Sequence, residues 1–114
     1  MTGNGNPGSF GITSIGAENV VLKNTSISGF DWGFYITAQD GSIQFSGYGN
    51  SISGVNKYFV LEQNGLFGKT VNASSVVFDG TRASDFTVAQ RNAAEAKTTD
   101  LQDDPTLGDV SYIP

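Results

Sequence analysis

Carboxylates and aromatic rings carry most of the chemical potential of this sequence, because histidine and cysteine are absent. Without an imidazole, the Ser-Lys and Ser-Asp pairs lack the usual general base and point to no acyl transfer. No thiolate site or disulfide is available either. Glycoside hydrolysis needs two carboxylates facing each other across a cleft, and calcium-assisted elimination needs clustered carboxylates beside a basic residue. Glu18, Asp31, Asp40, Glu62, Asp79 and Asp85 are instead scattered singly, mostly at turns. For Asp31 and Asp79, next to glycine and aromatic residues, an Asx-type turn is the expected use. Asp103 and Asp104, near Asp100 and Asp109, are where a calcium ion would bind. They lack the alternating D-x-D-x-D spacing of a metal loop and read as solvated charge. No catalytic residue, metal ligand or cofactor is expected, with calcium the weak exception.

The rings offer recognition rather than catalysis. Trp32, Tyr35, Tyr48 and Tyr58 each combine an apolar face with a polar handle, the pairing that stacks on sugars. Strand alternation sends Trp32 and Phe34 to one side and Tyr35 to the other. Phe34 is expected in the core, whereas Trp32, which aligns with Lys57, is expected either packed in the core or a turn or, as the one aromatic favoured for exposure, on the surface. Leu66 and Phe67 lie in NGLFGKTVN, Asn64 to Asn72, an insertion that either covers the flank of the fold or forms a binding loop. Trp32, Tyr35, Tyr48, Tyr58, Leu66 and Phe67 form the candidate ligand-binding set. Asn24-Thr25-Ser26 and Asn72-Ala73-Ser74 match a glycosylation pattern that a chain rich in Asn and Ser produces by chance.

The elements that must position these side chains follow from a repeat. SISGFDWGFYIT, Ser26 to Thr37, aligns without a gap with SISGVNKYFVLE, Ser51 to Glu62. Ile27 falls on Ile52, Phe34 on Phe59 and Ile36 on Leu61, which predicts ladders of like residues. Short Val, Ile, Phe and Tyr runs between Gly, Asn, Asp and Ser read as strands and tight turns. Self-similarity at a spacing of about 25 residues is a solenoid signature. The expected fold is all-β, a right-handed parallel β-helix of about three to four coils with a short C-terminal helical cap. An antiparallel β-sandwich is the alternative.

One domain fits 114 residues. Residues 1–9 read as a flexible Gly/Asn-rich lead-in, 10–86 as the coils, and 87–114 as a capping helix and acidic tail. TVAQRNAAEAK predicts a helix from Val88 to Lys97, with Ala89, Ala93 and Ala96 as its packing face. Asp104 and Pro105 start a turn, and Val110 to Ile113 add a last strand. The helix would cover the last coil, whereas nothing comparable covers the N-terminal end. That end is expected to meet further copies or an upstream part of the same chain. The 11 acidic against 6 basic residues repel phosphate backbones and anionic lipid, so no nucleic acid is expected as a partner. No apolar run reaches the ~18 residues of a membrane span. MTGNGNPGSFG has no signal-peptide pattern, so any export signal is expected upstream or already removed.

Val71 to Val110, VNASSVVFDGTRASDFTVAQRNAAEAKTTDLQDDPTLGDV, resembles the closing repeats of large bacterial cell-surface and secreted parallel β-helix proteins of adhesin-like or haemagglutinin-like type. The shared features are a strand, an Asp-Gly turn, an alanine-bearing helix starting near an Ala-Gln pair, and a DDPTLG-like stretch. Thr98, Thr99 and Leu101 stand where many relatives carry a histidine and more apolar residues. The resemblance implies a secreted or surface-exposed, non-catalytic module for adhesion or self-assembly, with glycan as a candidate ligand. A fragment of a carbohydrate-active enzyme, lyase or hydrolase, is the alternative.

Overall fold

The computed structural model describes residues 1–15, 19–37, 43–45, 48–62, 70–100 and 109–112. Where Val, Ile, Phe and Tyr cluster between turn residues, short strands form. They are β1 (Phe10–Ile15), β2 (Asn19–Val20), β3 (Ser26–Ser28), β4 (Trp32–Thr37), β5 (Ile43–Phe45), β6 (Ser51–Ser53), β7 (Lys57–Glu62), β8 (Thr70–Asn72), β9 (Val77–Phe78), β10 (Thr81–Arg82), β11 (Thr98–Asp100) and β12 (Asp109–Ser111). One helix, α1 (Val88–Ala96), lies between β10 and β11. The strands assemble in the orders β1-β4-β7-β11, β10-β9-β6-β3 and β12-β8-β5-β2. Among the described pairings, only β9 with β10 is antiparallel.

The expectation of an all-β parallel β-helix is corrected by this architecture. The fold is mixed α/β, combining parallel ladders, a mixed sheet and a helix, and the described residues close no solenoid coil. Two local features account for the difference. Asp79 and Gly80, both with positive φ, make a tight turn that reverses the chain and pairs Thr81 with Phe78. The chain then enters a 3-10 turn (Ala83–Asp85) and α1 before β11 returns beside β7. The antiparallel sandwich is equally excluded, because β3–β6, β4–β7 and the other long ladders are parallel.

Like residues stack across these ladders at the offset of the repeat. Ile27 pairs with Ile52, Phe34 with Phe59 and Ile36 with Leu61, and all six are buried. The Phe34 and Phe59 rings lie 5.1 Å apart at 15°, and Phe59 has no exposed surface. Phe78 and Tyr112 close over Phe59 with centroid distances of 6.0 and 6.1 Å.

Alternation slips by one residue in the middle of β4 and β7. Gly33 and Phe34 both face the interior, as do Tyr58 and Phe59 in the neighbouring strand. Gly33 makes this possible by having no side chain: a Cβ there would run into Ile52 Cδ1 and sit 2.9 Å from the Tyr58 carbonyl. The predicted grouping of Trp32 with Phe34 is therefore corrected, and Trp32 shares the outer face with Tyr35.

Helix α1 starts at Thr87 through a capping box. The Gln90 N–H donates to the Thr87 hydroxyl at 3.2 Å, and the Thr87 N–H donates to the Gln90 side chain at 2.9 Å. Its packing face is not the predicted one, since Ala89, Ala93 and Ala96 are exposed and Ala94 is buried. The end of the helix decides this orientation: the Tyr112 and Thr98 hydroxyls and the Lys97 N–H all converge on the Ala94 carbonyl. Backbone contacts also involve the first residues of the sequence. Thr2 bridges Ser28 in parallel, and the Gly3 N–H donates to the Ser28 carbonyl at 2.8 Å, so these two residues lie along the β3 edge.

Replacing Phe59 with Ala is expected to cost about 3–5 kcal/mol in thermal or denaturant unfolding. Val21→Ala, at an exposed position, should stay within ~0.5 kcal/mol. Equal effects of the two substitutions would contradict the stacking described here.

Candidate functional site

The outer face of the β1–β4 ladder carries three aromatic rings in contact. Phe10 pairs with Trp32 in register, and Trp32 continues to Lys57 on β7. The slip at Gly33 turns Tyr35 back to the same side. The Tyr35 ring then lies 5.5 Å from Trp32 at 15° and 5.6 Å from Phe10 at 34°. Phe10 is 43 % exposed, and Trp32 and Tyr35 are half-buried. The result is a shelf of three neighbouring rings, with Trp32 and Tyr35 nearly parallel.

Asp31 fixes the near end of this shelf. Its carboxylate accepts from the Gly8 N–H at 2.7 Å and from the Asn56 side chain at 2.8 Å. The Asp31 N–H donates to Ser9 Oγ at 3.1 Å, and the Trp32 N–H to the Ser9 carbonyl at 2.8 Å. These bonds hold Ser9 against the start of β4 and so deliver Phe10 to Tyr35. The Gly8 N–H, followed by Asn56, keeps the Asp31 carboxyl below its ordinary pKa. At the far edge, Lys57 donates to the Ala96 carbonyl at 3.2 Å, placing a cation at the C-terminal end of α1.

A second cluster joins the helix to the β9–β10 turn. The Tyr58 hydroxyl donates to the Asp79 carboxylate, the Gly54 N–H donates to the same group at 3.1 Å, and Lys97 approaches it at 3.7 Å. The Lys97 ammonium also lies 4.4 Å from the Tyr58 ring centroid. A cleft of about 160 Å³ opens beside these groups, bounded by Phe78, Phe86 and α1. Burial, reinforced by the bond to Asp79, pushes the Tyr58 phenol far up, so it keeps its proton at any physiological pH. Burial also pushes the Asp79 carboxyl up, but the Tyr58 and Gly54 donors and the Lys97 charge outweigh it and leave the group below its usual value. A carboxylate held ionised by three such partners is a poor proton acceptor, and this trio serves as a latch for the helix.

The candidate residues thus separate. Trp32 and Tyr35 come together, with Phe10 as a partner that sequence reasoning missed. Tyr58 is buried in the latch, and Tyr48 stands 64 % exposed between β5 and β6. Leu66, Phe67, Glu18, Asp40, Asp103 and Asp104 lie outside the described residues. Asn50 was also missed: it is buried, its amide donating to the Leu22 carbonyl at 2.7 Å and its carbonyl accepting from the Thr25 N–H at 3.2 Å. Phe10 precedes Trp32 by slightly less than one repeat, so aligning the repeats does not bring the two rings together. Among the described residues, no group of three acidic side chains is placed to hold a metal ion, and no helix is long and apolar enough to cross a membrane.

Asp79 ties stability to acid. A carboxyl with a folded pKa below its unfolded value of ~3.9 stabilises the fold above that value, and the contribution disappears as pH falls through the folded pKa. Asp79→Asn retains a residue that tolerates positive φ and removes the charge. The variant should be less stable than the parent at neutral pH, and the gap should shrink as pH is lowered from about 5 to about 2 in denaturant titrations. A gap independent of pH would contradict the latch. Comparison with protein-family models, curated proteins and solved structures finds no match to this chain.

Proposed function

We propose that the chain is a non-catalytic carbohydrate-recognition module of an extracellular or cell-surface protein, contacting its ligand through the Phe10–Trp32–Tyr35 shelf. The observation that carries this reading is the near-parallel Trp32–Tyr35 pair extended by an exposed Phe10. Three neighbouring rings give an outward apolar patch, and rigid aromatic side chains contact the C–H face of a sugar at little entropic cost. The shelf is preorganised, because Ser9, Asp31 and the β4–β7 register place each ring before any ligand arrives. A net charge of −5 suits neutral polyols better than polyanions at this face. The non-catalytic part of the reading draws on the use of Asp31 and Asp79, whose oxygens are taken up by structural hydrogen bonds.

Trp32 is the one tryptophan of the sequence, so intrinsic tryptophan fluorescence reports on this shelf alone. Neutral oligosaccharides retained on a glycan array should shift or quench that emission on titration. Phe10→Ala and Tyr35→Ala should weaken the titrated affinity at least ~10-fold, the loss of roughly 1.4 kcal/mol of stacking. An array with no neutral glycan retained, or affinities unchanged in both variants, would remove the basis for the proposal.

A further inference from the structure

A second recess lies at the corner where the β5–β6 connection meets the β9–β10 hairpin. It encloses about 320 Å³ and is lined by Tyr48, Gly49, Ser74, Ser75, Arg82 and Ser84. That is the lower end of the ~300–1,000 Å³ span of small-molecule pockets. Its walls are set by backbone hydrogen bonds. The Ser84 N–H donates to the Ser74 carbonyl at 3.0 Å and the Ala83 N–H to the Val76 carbonyl at 2.9 Å, which brings the residue before them, Arg82, to the rim. On the opposite wall the Asn24 N–H donates to the Tyr48 carbonyl at 2.9 Å, fixing that backbone while its ring stays in solvent.

Three features of the recess call for a ligand. At its rim the Tyr48 ring, 64 % exposed, offers an accessible apolar face with a phenol handle. Arg82 forms no ion pair among the described residues, although the chain is acidic. The Lys23 ammonium stands 6.0 Å from the Tyr48 ring centroid, adding a second positive charge beside the same ring. The hydroxyl-bearing lining around Ser74 and Ser84 completes a set of donors and acceptors for a polyol.

We infer that this recess binds a carboxylated monosaccharide, a uronic-acid unit, at a site separate from the aromatic shelf. The C–H face of the pyranose rests on Tyr48, the carboxylate takes the two-pronged guanidinium of Arg82, and the ring hydroxyls meet the serine side chains. A bare phosphate or sulfate would use Arg82 and make no apolar contact with the Tyr48 ring. A neutral hexose would use Tyr48 and leave the guanidinium unpaired. Only the acidic sugar engages both walls.

Titration of the full chain with D-glucuronate, D-glucose and inorganic phosphate, followed by amide chemical shifts, tests the assignment. Glucuronate should move the Tyr48, Ser74, Arg82 and Ser84 signals and bind at least ~10-fold more tightly than either of the others. Arg82→Gln should abolish that preference, and Tyr48→Ala should weaken glucuronate at least ~5-fold. Both side chains are exposed, so melting temperature should be unchanged and a folding defect separable. Trp32→Ala should leave the glucuronate response intact, which keeps this site distinct from the shelf whichever way the shelf performs. Absence of shifts at the recess, equal binding of glucose or phosphate, or an Arg82→Gln variant indistinguishable from the parent would each overturn it. Loss of the response in Trp32→Ala would overturn it too, by moving the ligand to the shelf.

Discussion

The Phe34 ring stacked 5.1 Å from Phe59, its counterpart one repeat further along the chain, is the contact from which the rest of the structure follows. Two parallel strands in the same register bring side chains of like shape together, and the repeat makes those side chains the same or similar. Ile27 on Ile52 and Ile36 on Leu61 extend the stack to either side. Each added layer buries the apolar face of the one before it, which a strand of three to six residues cannot do alone. Gly33 is the condition for this packing. With no side chain, it lets β4 turn two successive residues inward, and the outer face then receives Trp32 and Tyr35 together.

Polar groups at the turns repeat with the same spacing. Gly29, Gly54 and Asp79 all have positive φ and recur once per repeat, and the Gly54 N–H reaches the Asp79 carboxylate across one layer. Asp79 replaces glycine at the last of these positions and adds a side chain that binds Tyr58 and Lys97. The turn that changes the chain's direction thereby also holds the helix that follows. Tyr112, Thr98 and Lys57 supply donors to the terminal carbonyls of α1, so the end of the helix is tied to both β7 and the residue after β12.

The repeat offset that carries Ser26 onto Ser51 is visible in the sequence and is the offset of the β3–β6 and β4–β7 registers. Helix α1 is visible too, in its alanines. The fold class is not legible, because a repeat specifies neighbours without specifying how the chain travels between them. At Asp79-Gly80 the sequence signals a tight turn, but whether the chain continues or reverses is settled by Thr81 pairing back on Phe78. Small size alone points to Ala89, Ala93 and Ala96 as the buried face of α1, whereas hydrogen bonds to the Ala94 carbonyl set the rotation of the helix. Trp32 and Tyr35 are legible as candidates but not as partners, since strict alternation separates them and only the inward turn of Gly33 reunites them. Phe10, Asn50 and Arg82 acquire their roles from distant contacts that no local pattern encodes.

The aromatic shelf and the latch both depend on strands paired at the register of the repeat. Proton–proton nuclear Overhauser effects on the folded chain test that register most directly. Cross-strand effects are expected between Ile27 and Ile52, between the Phe34 and Phe59 rings, and between Ile36 and Leu61, each pair one repeat apart. Ring effects from Phe34 to Lys57 or Leu61 in place of Phe59, or antiparallel patterns between β4 and β7, would contradict it.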